Sequence, residues 1–195
     1  MKPLKLVVLA SGSGTLFQSL IDSRDELGIS IDALISDVPC GANDRAKNAG
    51  IIFELVPMLD DRVEWDQNLC AVLKKFSPDL IVSAGFMRII GPAVLAEFQG
   101  RIINTHPALL PLFPGAHAVR DALAAGATET GSTIHFVDSG MDTGPVIAQQ
   151  AIDILPTDTE ESLHERIKKV ERELLVNTVR EFIAGSIHYP ESSRS

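Results

Sequence analysis

Asn104 and His106 stand two residues apart in Asn104-Thr105-His106-Pro107, where the short run Arg101-Ile102-Ile103 meets a loop with Pro107, Pro111, Pro114 and Gly115. In a strand, side chains alternate between faces, so positions 104 and 106 point the same way. An amide donor and an imidazole then converge on one spot. Asp142 sits in a second loop, Gly140-Met141-Asp142-Thr143-Gly144-Pro145, between two more strand-like runs. A carboxylate that reaches an imidazole orients it and holds it protonated near neutral pH. Amide plus imidazolium suits acyl transfer, in which a carbonyl oxygen turns anionic and needs donors already in place. Taken alone, Asp142 is a turn residue. Its weight comes from a pairing with His106.

Two other segments carry chemistry. Ser11-Gly12-Ser13-Gly14-Thr15 lies between a strand-like and a helix-like run. Small residues there let backbone N–H groups turn inward, and a helix N-terminus adds positive potential, so a phosphate fits. The dinucleotide fingerprint is incomplete, because Phe17 stands where its third glycine belongs, and no Lys-Ser/Thr pair follows to make a nucleotide P-loop. Met87-Arg88-Ile89-Ile90 follows Gly85 and can line a flat pocket for an aromatic ring, with Arg88 at the rim. His117, His135, His164 and His188 show no metal-ligand spacing. His164, with Lys168 and Glu171, reads as a solvated helix face.

These groups need a scaffold, and the composition favours an α/β one. The chain has 195 residues, 45% of them hydrophobic and only 5% aromatic, enough for one large aliphatic core in a single domain over 1–195. The formal net charge is -9 and no basic stripe is present, which argues against a nucleic-acid partner. Cys40 and Cys70 lack a partner at metal-ligand spacing and read as reduced thiols of a cytoplasmic protein. The apolar run after Lys5 is too short for a signal peptide and reads as a first strand. No segment is long enough to span a membrane.

Apolar periodicity predicts strands over 4–10, 29–36, 51–56, 80–84, 101–104, 131–137 and 146–154. Helices are expected from Leu16, from Asn43 or Asp44 as a cap up to Gly50, over 63–76, from Pro92 to before Gly100, over 117–125, and from near Thr159. Asp158 with Glu161, or Thr157 with Glu160, would form the capping box of the last helix. Its buried face would be Leu163, Ile167, Val170, Leu174, Val179 and Phe182, with a frayed tail over 186–195. The first half, about 1–100, alternates strand and helix, which implies parallel strands with right-handed crossovers. A second half, about 101–185, carries the Asn104, His106 and Asp142 loops. Ligands in such sheets bind beyond the carboxyl ends of the strands. The glycine loop, the run after Gly85 and Asn104–His106 should therefore open onto one edge.

With these residues in view, the chain resembles the folate-dependent formyltransferases, and within them the short enzymes that formylate glycinamide ribonucleotide in purine biosynthesis. The resemblance rests on Ser11-Gly12-Ser13-Gly14-Thr15, Ala84-Gly85-Phe86-Met87-Arg88-Ile89, Asn104-Thr105-His106-Pro107-Ala108-Leu109-Leu110-Pro111, Phe113-Pro114-Gly115 and Met141-Asp142-Thr143-Gly144-Pro145. It implies a Rossmann-like, mostly parallel twisted sheet flanked by helices, with an antiparallel extension and a long C-terminal helix. It implies Asn104, His106 and Asp142 as catalytic residues. Gly14, Thr15 and Leu16 would hold the ribonucleotide phosphate through their backbone, with Pro107 beside it and Glu171 on the ribose hydroxyls. Met87, Arg88, Ile89 and Ile90, with Asn104 and the run Asp138, Ser139, Gly140, Met141 and Asp142, would surround the pterin, and Arg62 the benzoyl-glutamate end. The cosubstrate would be 10-formyltetrahydrofolate, with no metal, no nucleic acid and no membrane, in a cytoplasmic monomer or homodimer. Leu16 departs from the family, which often has Asn there, and Leu112 stands where a polar residue is common.

Rival readings differ in what they need. A formyl-folate hydrolase of the same fold would release formate without an amine acceptor, and would usually carry an added domain. Formylation of methionyl-tRNA would call for a second, basic domain. A dehydrogenase fails at Phe17. A phosphate- or nucleotide-sensing module would need the glycine loop but not Asn104, His106 and Asp142.

Overall fold

The computed structural model describes residues 2–189 of the chain. In chain order the elements are β1 (Leu4–Leu9), α1 (Thr15–Leu27), β2 (Ile29–Ser36), α2 (Gly41–Asn48), β3 (Ile52–Leu55), α3 (Arg62–Phe76) and β4 (Leu80–Ser83). They continue with α4 (Pro92–Glu97), β5 (Ile102–His106), α5 (Ala118–Ala124), β6 (Glu129–Phe136), β7 (Val146–Asp153) and α6 (Glu160–Ile183). The strands form one seven-stranded sheet in the order β3-β2-β1-β4-β5-β6-β7. Pairing is parallel from β3 to β5 and antiparallel from β5 to β7.

Strand β1 shows why both faces are covered. It has no polar alternation, and successive side chains enter opposite cores. Leu6 and Val8 pack with Phe17 and Leu20 of α1 and with Leu175 and Val179 of α6. Val7 and Leu9 pack with Trp65, Leu69 and Leu73 of α3 and with Val94 of α4. Burial of Leu69 and Leu73 contributes about 1.5–3 kcal/mol each. Asp61 starts α3 by accepting the backbone N–H groups of Val63 and Glu64, and Ser77 in the left-handed region ends it.

The antiparallel strands shape the site. β6 pairs with β5 only from Thr133 to Phe136, whereas its earlier residues pair with β7 alone. The β6–β7 hairpin therefore projects past the carboxyl edge of the parallel strands and forms a wall there, with α6 packed against it.

Several local expectations need correction. β5 runs to His106 rather than stopping at Asn104, because Thr105 and His106 pair with Ile134 and Thr133 of β6. α1 begins at Thr15 and continues to Leu27. α2 is capped from Cys40, not from Asn43 or Asp44; Asn43 sits inside the helix and accepts the Ser36 hydroxyl. The capping box of α6 is Thr159 with Ser162. Asp158 is taken up by the Leu155 N–H, the Ser162 hydroxyl and Arg166. The buried stripe of α6 is Leu163, Ile167, Glu171, Leu175, Thr178 and Val179, while Val170, Leu174 and Phe182 are half-buried. Of the tail expected to fray, Ile187 and Tyr189 pack on the core, with Tyr189 edge-on to Phe136 at 5.0 Å. Residues 190–195 of that tail lie outside the described residues.

Candidate active site

Asn104 and His106 share a face of β5, as the two-residue period requires. Opposite Asn104 in the antiparallel register stands His135 of β6, and the Asn104 Nδ2 lies 3.2 Å from His135 Nε2. The Nδ1 of His106 is 3.4 Å from Asp142 Oδ2, and the Nε2 of His135 is 3.6 Å from Asp142 Oδ1. One carboxylate thus faces two imidazoles. Asp142 holds a positive φ of 58°, a backbone state that few side chains adopt but that Asp tolerates. The Gly115 N–H donates to its Oδ2 at 2.8 Å and fixes it in place. The three residues singled out first are therefore brought together.

The protonation of His106 differs from the expectation. Its ring is only 5% exposed. Burial pushes its pKa below the usual histidine range; the Phe113 carbonyl and Asp142 pull upward without prevailing, and His135 adds to the fall. Asp142 favours the charged ring but does not offset the cost of burial. Asp142 itself is held below the ordinary carboxylate range, chiefly by the neighbouring His135 side chain, against burial, with further help from the Gly115 N–H and His106. The Nε2 of His106 lies 2.8 Å from the Phe113 carbonyl. A carbonyl only accepts, so Nε2 carries the proton, and Nδ1 is the basic nitrogen turned to Asp142.

These groups line a cleft of about 460 Å³ at the carboxyl edge of the sheet, within the size range of small-molecule sites. All three loops expected to share an edge line it. The first supplies Gly14, Thr15 and Leu16. α1 has no side-chain cap, so the N–H groups of its first turn are open to an anion. Gly14 takes φ +71°, and a Cβ on it would meet Ala42 of α2 at 2.7 Å. The second loop supplies Met87, Arg88, Ile89 and Ile90; Met87 and Ile89 are each 62% exposed, an apolar platform with no protein cover. Pro107 of the third loop lines the cleft, as do Asp138, Gly140 and Met141 of the loop after β6, but Ser139 does not.

Arg62 is also off the cleft wall. It donates to the Ile89 carbonyl at 2.9 Å and lies over the Trp65 ring at 4.7 Å, bracing the second loop from behind. Glu171 lines the cleft although it is only 4% exposed. Burial pushes its pKa up to about 7, against the Ser132 hydroxyl and the charges of Lys168 and Arg172. His164 and Lys168 line the same wall, so this face of α6 is not the solvated one expected. His135 was missed because its register opposite Asn104 exists only once β5 and β6 pair. His164 and Lys168 carried a signal, their spacing with Glu171 on one helix face. Among the described residues no group of three or more His, Cys, Asp or Glu could hold a metal ion, and no helix is long and apolar enough to cross a membrane.

A family model described as formyl transferase matches residues 4–179. Phosphoribosylglycinamide formyltransferase of Mycobacterium tuberculosis is 50% identical over 180 residues, covering 91% of this chain and 84% of the relative. The crystal structure of glycinamide ribonucleotide transformylase 1 from Symbiobacterium toebii superposes with a TM-score of 0.91 at 36% identity, over 94% of this chain and 89% of that one. A formyltetrahydrofolate deformylase from Pseudomonas syringae shares the fold at a TM-score of 0.88 and 25% identity, over 94% of this chain and 62% of that one.

Proposed function

The chain belongs to the formyl transferase family, and from that premise we propose that it moves the formyl group of 10-formyltetrahydrofolate to the amine of glycinamide ribonucleotide. The observation that carries this reading is the approach of Asp142 to His106, 3.4 Å apart, beside Asn104 in a two-sided cleft. One side offers open helix N–H groups, suited to a phosphate. The other offers exposed Met87 and Ile89, suited to a flat heteroaromatic ring.

The bound folate supplies an activated formyl carbon to the attacking amine. The residues of this chain supply position and charge. Asn104 offers its amide N–H to the formyl oxygen as that oxygen becomes anionic, and one such donor typically lowers the barrier by about 2.7–4 kcal/mol. His106 offers to the same oxygen the Nε2–H that it now gives to the Phe113 carbonyl. Negative charge beside the ring raises its affinity for a proton, and Nδ1, turned to Asp142, receives it. Asp142 passes to Nδ1 the proton it takes from the attacking amine and, ionised again, stabilises the imidazolium, and His106 then gives its Nε2 proton to the folate nitrogen as general acid. No covalent enzyme intermediate enters.

Gly14, Thr15 and Leu16 hold the phosphate through their backbone, with Pro107 alongside, and Glu171 takes the ribose hydroxyls. Met87 to Ile90 and the 138–142 loop enclose the pterin, with Ser139 contributing backbone only and Arg62 bracing Ile89 near the glutamate end. The enzyme works in the cytoplasm on small molecules alone, as a monomer or homodimer, and its two cysteines are free thiols. A coupled assay with both substrates tests the reading. Formylated ribonucleotide is expected, whereas formate released without the amine would make the protein a hydrolase.

A further inference from the structure

Asp37 follows β2 and takes no part in the chemistry above, yet its side chain is 1% exposed and charged. Its two oxygens go to two different substrate loops. Oδ1 accepts the Ser11 hydroxyl at 2.5 Å, in the loop after β1. Oδ2 accepts Arg88 Nε at 2.6 Å, in the loop after β4. The same Ser11 oxygen accepts the Met87 N–H at 2.9 Å, and the Ser11 N–H donates to the Gly85 carbonyl at 3.0 Å. β1 lies between β2 and β4 in the sheet, so the two loops meet directly above Asp37.

We propose that Asp37 is a positioning residue that shapes both substrate sites at once, through Ser11 for the ribonucleotide loop and through Arg88 for the folate loop. The inference rests on the functional reading just given. The carboxylate is buried and Arg88 is its partner cation, so Arg88 cannot leave without stranding Asp37. Arg88 uses only Nε on Asp37; among the described residues its two terminal nitrogens make no hydrogen bond, and the residue lines the cleft. The rigid bond to Asp37 therefore aims the guanidinium at the cleft while the backbone of 87–90 forms its floor. On the other side, the Ser11 hydroxyl fixes the start of the loop whose later N–H groups face the phosphate. Charge-assisted bonds of this length hold geometry more firmly than neutral ones.

The test is steady-state kinetics of Asp37→Asn and Ser11→Ala, with each substrate varied in turn at saturation of the other. Asp37→Asn keeps the size of the side chain and removes its charge. The expected result is a rise of roughly tenfold or more in KM for both substrates, with kcat changed less than about threefold and a smaller rise in both KM values for Ser11→Ala. A carboxylate with a merely structural role would reduce the folded fraction, and hence apparent kcat, and leave KM alone. Unchanged KM values, or a shift in one substrate only, overturn the proposal. Failure of the wild-type chain to form product would refute the proposed function instead. Calorimetric titration with glycinamide ribonucleotide and with 10-formyltetrahydrofolate then decides the positioning role. Equal affinities in wild type and Asp37→Asn, or no binding by the wild type, overturn it.

Discussion

Asn104 and His135 face each other across β5 and β6, with Asn104 Nδ2 and His135 Nε2 3.2 Å apart. His135 is anchored in turn, its Nδ1 lying 2.8 Å from the Phe136 carbonyl. The carbonyl takes the Nδ1 proton, so Nε2 accepts the amide N–H and this buried imidazole aims Asn104. Small misplacement of reacting groups is costly, on the order of 10²-fold for about 1 Å. His135→Ala is expected to lower kcat by about that factor with little change in KM for the ribonucleotide. Wild-type kcat in a folded variant would count against it.

Asn104→Ala should reduce kcat by about 10²- to 10³-fold, the usual effect of losing one oxyanion donor. His106→Ala should do at least as much. The two act on one developing charge, so the double variant should be little worse than the poorer single one. Single-turnover rates of all three check this, and losses that multiply independently would show separate roles.

Burial places the midpoint of His106 below 6.5 in the free enzyme. Asp142 favours the charged ring, so Asp142→Asn removes an upward influence and should lower the midpoint further. Nitrogen-resolved NMR titration of the imidazole reads both values. A midpoint above 6.5 in the wild type would reverse the assignment of resting states.

Glu171 titrates at about 7, above its ordinary 4.5. The folded state thus holds this proton more tightly than the unfolded chain does. Stability is present in full below about 4.5, declines as pH rises, and is lost by about 7, a difference of roughly 3 kcal/mol. Glu171→Gln lacks this loss, so relative to wild type it should gain stability between pH 5 and 8 by chemical denaturation. The ionised carboxylate is also the better acceptor for ribose hydroxyls. The KM for the ribonucleotide should therefore fall as pH rises through about 7, and that dependence should vanish in Glu171→Gln.

Gly14→Ala places a Cβ at φ +71° and 2.7 Å from Ala42. The left-handed backbone alone costs about 1–2 kcal/mol, and α2 must move besides. Both a lower denaturation midpoint and weaker ribonucleotide binding are expected. Unaltered binding affinity would show that the phosphate does not use this turn.

The sequence by itself determined the α/β alternation, because apolar runs of strand length between amphipathic helices have one economical packing. It also determined that Asn104 and His106 share a face, because a strand's period is two, and that the post-strand loops open on one edge. Gly14 and its loop were legible because a small-residue turn before a helix has few conformations. Tertiary structure alone decided the rest. It set the register that puts His135 opposite Asn104 and carried β5 on to His106. It turned the face of His164, Lys168 and Glu171 inward against the β6–β7 wall, and it buried Asp37 between two loops. Above all it decided the direction in which the His106 pKa moves. Residue types announce that an imidazole and a carboxylate can pair, but the balance between attraction and lost hydration depends on how much water the folded chain excludes, and that quantity is not written in any local run of residues.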